Sequence, residues 1–271
     1  MLIVDFHAHA FPDTLAERSV AFLAKQAGIP AYADGTTRGL AEAASRIGAD
    51  CALVLPVVTK TTQFRSVNAF AERIDNGEFD CFGVRLRSFG GIHPDDEDVK
   101  GELRAIKAMG LRGVKIHPDY QQTFIDDPKY LRIIEEAAAL GLLVSVHAGL
   151  DLGFPDCTHC TPIRSRNMLR STGAENVILA HMGGFDMWQE VADLLVGEKV
   201  RFDTGFVARY MDPSLATAII RAHGADKVLF ATDSPWENYE ASLDFVSSLD
   251  LTDTEKEKIL GGNAAVLLGL N

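Results

Sequence analysis

The chain lacks any uncharged apolar run of about 18 residues, so no segment is long enough to cross a bilayer as a helix. Its opening, MLIVDFHAHA, has no basic segment ahead of an apolar one. A cleaved signal peptide is therefore not expected, and the chain reads as cytoplasmic. Positive charge is also scarce: 26 Lys and Arg against 38 Asp and Glu leave a net charge of -12. Such a surface repels nucleic acid and anionic lipid, so the expected partner is a small molecule, with a homodimer left open. Cysteine is rare, with four residues in the chain. Cys51 and Cys81 fall in apolar runs, where a buried thiol is the ordinary reading. Cys157 and Cys160 form CTHC around His159, but one CxxC without a second pair falls short of the four ligands of structural zinc. No Pro/Ser-rich linker or low-complexity run divides the sequence, and residues 1–271 read as one domain.

What the chain does have is a repeated alternation of strand-like and helix-like segments. Eight β-branched runs can be read as strands: LIVDFHAH, CALVLPVV, CFGVRLRSF, LRGVKIHP, LLVSVHAG, NVILAHMGG, VRFDTGF and VLFATDSP. Amphipathic stretches of helical period lie between them, such as DVKGELRAIKAM and YLRIIEEAAAL. Gly48, Gly110, Gly141 and Gly197 stand where helices should close before the next strand. The first interval is longer and holds a loop, GIPAYADGTTRG. Eight such units predict a (β/α)8 barrel of the TIM type. A doubly wound open sheet would carry a Gly-rich phosphate loop after its first strand, and HAHAFPDT is not one.

The polar residues collect at strand tips. Side chains alternate along a strand, which predicts that His7 and His9 share a face with Asp5 and Ile3, opposite Val4 and Phe6. The same parity pairs Lys115 with His117, Ser145 with His147 and Arg85 with Arg87. Six of the eight histidines (7, 9, 93, 117, 147 and 181) come at or just after predicted strand ends, the face where barrel enzymes build their sites. A single histidine there is ordinarily a hydrogen-bonded structural residue; histidines ending four strands, with Asp233 on the eighth, ask for another explanation. His7 and His9 stand about 6.6 Å apart by strand rise, close enough for their imidazoles to converge on one ion. His147 can add a third nitrogen, and Asp233 an oxygen that also accepts a proton. A metal held this way brings bound water toward a pKa of about 7, giving a nucleophile at neutral pH.

The ordered set DFHAH, GVKIHPDYQ, VSVHAG, LAHMGG and ATDSPW resembles the amidohydrolase superfamily, in particular the branch that includes aminocarboxymuconate-semialdehyde decarboxylase. The resemblance spans nearly the whole chain. It implies one divalent metal, Zn²⁺ with Mn²⁺ or Fe²⁺ as alternatives, held by His7, His9, His147 and Asp233. It also implies His181 beside the metal as acid/base or electrophile. Some members bridge two metals with a carboxylated lysine, but the GVKIHP setting of Lys115 resembles the single-metal branch, where this lysine orients a polar network or binds a substrate anion. His117, Arg87, Asp203 and Trp236 are further candidates for substrate contact; Arg87 could grip a carboxylate or form a barrel ion pair. His223 reads as a helix-end residue. The expected activity is hydrolysis of a C–N or C–O bond in a small carboxylate-bearing metabolite, or its decarboxylation. Two other readings stay open: a TatD-like metal nuclease, against which Lys115 and the acidic surface stand, and a metal-binding barrel without catalysis.

Overall fold

The computed structural model describes residues 1–270. Its strands are β1 (Val4–Ala8), β2 (Cys51–Val54), β3 (Arg85–Ser88), β4 (Gly90–Gly91), β5 (Gly113–Ile116), β6 (Leu143–Val146), β7 (Val177–Leu179), β8 (Arg201–Asp203) and β9 (Val228–Leu229). Neighbouring strands run parallel in two ladders, β1-β2-β3 and β4-β5-β6-β7-β8-β9. β3 and β4 are two halves of one barrel strand on either side of Phe89, whose N–H donates to Val54 O. The ring closes between its ends: Phe6 N donates to Phe230 O at 2.9 Å, and Asp233 N to His7 O at 2.7 Å. Eight strand positions are therefore filled, as the segment count predicted, and the fold is a (β/α)8 barrel.

Parallel strands need apolar residues on both faces, and each face has its own cluster. Outward residues such as Ala52, Val54, Leu86, Val114, Ile116 and Val144 pack against the helices. Inward residues Val4, Phe6, Leu53, Phe89, Ile178 and Leu229 plug the lower barrel together with Ala264 and Leu268 of the last helix. The expected glycines do close helices, Gly110 at φ 87° and Gly141 at φ 68°. In the long first interval a helix over Asp13–Ala27 precedes the predicted loop and ends at Gly28 with φ 68°. No helix among the described residues is long and apolar enough to cross a membrane.

Strict alternation fails in β1. Against β2, Asp5 pairs with Ala52 but Ala8 with Val54, so three steps on β1 match two on β2. The extra residue is a bulge, which re-aims side chains. Val4 and Phe6 point inward and Asp5 outward, where it accepts from Tyr239 Oη at 2.5 Å and Thr232 Oγ1 at 2.6 Å. Beyond the bulge, Ala8 packs outward while His7 and His9 turn into the barrel mouth. The predicted sharing of a face by His7, His9 and Asp5 is thus corrected: the bulge separates the histidines from the aspartate.

His223 does end a helix, Pro213–His223, but as a buried neutral ring rather than a cation. It stacks on Phe202 at 4.2 Å, its Nε2 donates to Val200 O and its Nδ1 accepts from Gly197 N. Burial pulls its pKa down to about 4. The unfolded chain therefore takes up this proton first as pH falls. Stability should be full above about pH 6.5 and decline toward pH 4, by about 2–3 kcal/mol from this group. Denaturant titrations of wild type and His223→Gln across that window should show the variant with the flatter profile; parallel profiles would reject the assignment.

Candidate active site

His7 and His9 leave the end of β1 with their Nε2 atoms 3.3 Å apart, and these lie 3.2 and 2.9 Å from Asp233 Oδ1. The other imidazole nitrogens are committed elsewhere. His7 Nδ1 donates to Asp203 Oδ2 at 3.0 Å, and His9 Nδ1 to Leu55 O at 2.9 Å. Their protons therefore sit on Nδ1, and both Nε2 lone pairs face the carboxylate oxygen. Burial first, then the nearby Lys115 charge, holds His7 well below the ordinary histidine range, so its ring is neutral. Asp233 Oδ1 is buried without a hydrogen-bond partner. Two ligand atoms about 2.1 Å from an ion and about 90–110° apart are themselves about 3.0–3.4 Å apart. Three acceptors at that spacing fit a divalent cation.

The backbone is bent to make this arrangement. Asp233 and His181 both adopt left-handed conformations, φ 62° and 58°, which non-glycine residues accept only where their surroundings enforce them. At Asp233 the enforcing contacts are its N–H bond to His7 O and the outward clamp of Asp5 on the neighbouring Thr232. Burial lifts Asp5 to about 6 even though these partners favour its ionised form. At His181 the holding group is Asp203, whose Oδ1 accepts from His181 N at 3.0 Å while Oδ2 orients His7.

His181 sits 5.4 Å from His7 between ring centres, with Nδ1 donating to Gly205 O and Nε2 3.0 Å from His147 Nδ1. His147 accordingly lies outside the close triangle. It stacks on His117 at 4.1 Å, and its Nε2, buried and unpartnered, lies 3.8 Å from Asp119 Oδ2 and 3.9 Å from Asp151 Oδ2. His117 Nε2 is 3.3 Å from Asp151 Oδ2, so these three residues form a second donor group at the mouth. Lys115 is fully buried with Nζ 3.2 Å from His7 Nε2, and burial draws its pKa to about 8 against the pull of Asp203 and Asp233.

These groups line a cavity of about 430 Å³, joined by Trp236, Tyr120, Phe185 and Phe206. Arg87 is corrected. It has the inward parity expected, but it lies below Phe89, at a separate cavity on the opposite end of the barrel, and donates to Leu86 O and Asp75 O. CTHC is no metal knuckle: Cys160 meets Ser165 Oγ at 3.3 Å, while His159 Nδ1 pairs with Asp119 at 2.9 Å. Asp119 and Asp151 were not singled out in the sequence; both follow strand-tip histidines, in GVKIHPD and VHAGLD, and that position is the only signal they give.

Asp203 fixes the His7 tautomer from outside the acceptor triangle. Replacing it with alanine should lower metal affinity about 10–100-fold, the usual cost of losing a carboxylate behind a ligating histidine. A competitive chelator titration measures this, with circular dichroism to verify folding; unchanged affinity would show that Asp203 does not set the ligand.

Residues 4–270 match the amidohydrolase family, called simply amidohydrolase. A gamma-resorcylate decarboxylase from Polaromonas sp. (strain JS666 / ATCC BAA-500) is 40% identical over 237 residues, covering 69% of this chain and 72% of that protein. Among solved structures, an uncharacterized TIM-barrel protein from Bordetella bronchiseptica superposes with a TM-score of 0.76 at 18% identity, covering 99% of each chain. A dihydroxybenzoic acid decarboxylase from Polaromonas sp. JS666, with bound manganese and 2-nitroresorcinol, gives 0.72 at 17% identity, covering 100% of this chain and 97% of that one. The fold agrees with these structures, the sequence match runs from β1 to the last helix, and the histidine-tipped barrel described above belongs to the amidohydrolase family.

Proposed function

We propose that this enzyme removes CO₂ from an aromatic monocarboxylate without oxidation, using one divalent ion, Mn²⁺ or Zn²⁺. The observation that carries this reading is the contrast within one pocket. Three metal-competent acceptors and a single buried ammonium stand at its inner end, against walls of Phe185, Phe206, Trp236 and Tyr120 with no arginine. The 40% identical resorcylate decarboxylase supports the same reading. His7, His9 and Asp233 hold the ion. His147, whose Nδ1 lies 3.0 Å from His181 Nε2 and whose Nε2 faces the Asp119 and Asp151 carboxylates, would be the further donor. When bound, the ion supplies Lewis-acid polarisation of a substrate oxygen.

The chain's own residues do the rest. Lys115 Nζ pairs with the substrate carboxylate, the one charge the pocket is equipped to neutralise. The aromatic walls orient the ring and keep water off it. In the reaction the C–C bond to the carboxylate breaks, CO₂ leaves, and the electron pair left on the ring carbon takes a proton that Asp233 has drawn from solvent water, so one proton is consumed per CO₂ released. Asp233 and His181 line the cavity where that proton must be handled, and Asp233 returns to its carboxylate form, which His7 and His9 favour against the effect of burial.

Metal-stripped protein reloaded with Mn²⁺ or Zn²⁺ should release CO₂ from 2,6-dihydroxybenzoate, and in D₂O should leave deuterium at the vacated carbon. Hydrolysis of an amide or lactone panel with no CO₂ from any benzoate would reject the proposal. Asp233→Asn should leave much of the metal bound at saturating metal and His181→Ala should keep metal affinity within about tenfold, yet each should lower turnover 100-fold or more, as removal of an acid–base group does. Turnover near wild type in either variant would remove that residue from the mechanism.

A further inference from the structure

The cavity is much longer than its reactive end. The helix Asp13–Ala27 sends Leu15, Ser19, Leu23 and Ala27 into its wall. Their spacing of four residues places them on one stripe, and twelve helical steps extend about 18 Å. Val67 and Phe70 of the helix Phe64–Asp75 line the same cavity. His7, His9, Lys115, Asp151 and Asp233 gather at the barrel end. The long helical wall carries no charged residue.

That stripe is not needed to hold its own helix. Ala16 and Val20 do this from another side, where Gly35 approaches so closely that an added Cβ would lie 2.4 Å from Val20 Cγ2. Gln26 Nε2 ties the far end of the helix to Gly153 O at 3.1 Å. The stripe is left half-open, with Leu15 40% exposed, along a groove continuous with the metal-competent triangle. A hydroxylated benzoate alone would fill only the inner end.

We propose that the substrate carries a long apolar substituent, such as an alkyl chain on the ring, that lies along this groove toward Ala27 and Ile29. The inference rests on the decarboxylase reading for the head of the substrate, while the groove itself can be tested without chemistry. Resorcinol and its methyl, propyl, pentyl and heptyl derivatives have no carboxylate to lose, and calorimetry with the Mn²⁺-loaded enzyme gives their affinities. Kd should fall by up to about fourfold per added methylene until the groove is filled. Leu23→Arg and Ala27→Trp should shrink the ratio of heptyl to unsubstituted affinity at least tenfold, with metal content and melting temperature verifying the fold.

The matching alkylated dihydroxybenzoates should show kcat/KM rising with chain length, mainly through KM. Affinity that is flat or falls along the series overturns the groove. Affinity that rises with no CO₂ released from any benzoate overturns the decarboxylase reading and leaves the groove standing. A flat series together with a dimer that Leu23→Arg dissociates would assign this face to a second copy of the chain, and would likewise overturn the proposal.

Discussion

Two imidazole nitrogens and one carboxylate oxygen lie 2.9–3.3 Å apart in a buried place, where their mutual repulsion is unfavourable without positive charge beside them. Much of the upper barrel serves to bring these three atoms together and keep their protons away. Asp203 and the Leu55 carbonyl take the Nδ1 protons. The β1 bulge turns His7 inward although its strand neighbour Phe6 already points that way. The left-handed turn at Asp233 brings its carboxylate back over the end of β1. Each device is locally unfavourable or neutral alone; together they converge three acceptor atoms on one point, the arrangement the proposed cation would need.

The cost of collecting so many polar groups in one barrel is offset from below. Phe6 and Phe89 meet edge to face at 5.8 Å in the inward cluster, and the last helix covers it with Ala264 and Leu268. Burying an aromatic side chain contributes about 1.5–3 kcal/mol, and the outward faces add strand-to-helix packing around the ring. The barrel is thus divided along its axis, with an apolar plug below and a polar mouth above. Lys115 lies on the mouth side, fully buried, with its charge opposed by burial and supported by Asp203 and Asp233.

This division explains which parts were legible in the sequence. Strand order and the histidine-tipped ends were readable because β-branched runs and helical period repeat eight times and the histidines fall at the same end of several units. Depth was not readable. Arg87 has the same inward parity as the site residues, yet parity says nothing about height along the barrel, and Phe89 lies between it and the mouth. The bulge was not readable either, because it depends on the pairing of β1 with β2 and with the Asp233 segment. Asp119 and Asp151 come from loops after β5 and β6, where no periodicity applies. Asp203 appeared only as a substrate contact, since a carboxylate behind a histidine and one in front of it look alike in sequence.

Tautomers also separate the two donor groups at the mouth. In the inner one, both imidazole protons are drawn away from the centre. In the outer one, His117 Nδ1 faces Tyr120 N–H at 3.5 Å, so its proton belongs on Nε2, which meets Asp151 at 3.3 Å as a donor. A donor N–H pointed at the centre of a group does not invite a cation there. Asp119 is bound on one side by His159, which leaves its Oδ2 facing His147 Nε2. The two atoms are 3.8 Å apart and otherwise unpartnered, so the carboxylate favours the His147 tautomer that carries its proton on Nε2. The outer carboxylates are thereby placed to back His147 in the proposed ligand set. β5 brings no acidic side chain between Leu111 and Pro118 to bridge two ions. The Lys115 ammonium beside His7 would repel a second cation, so the charge at the mouth favours the single ion of the proposed function over a pair.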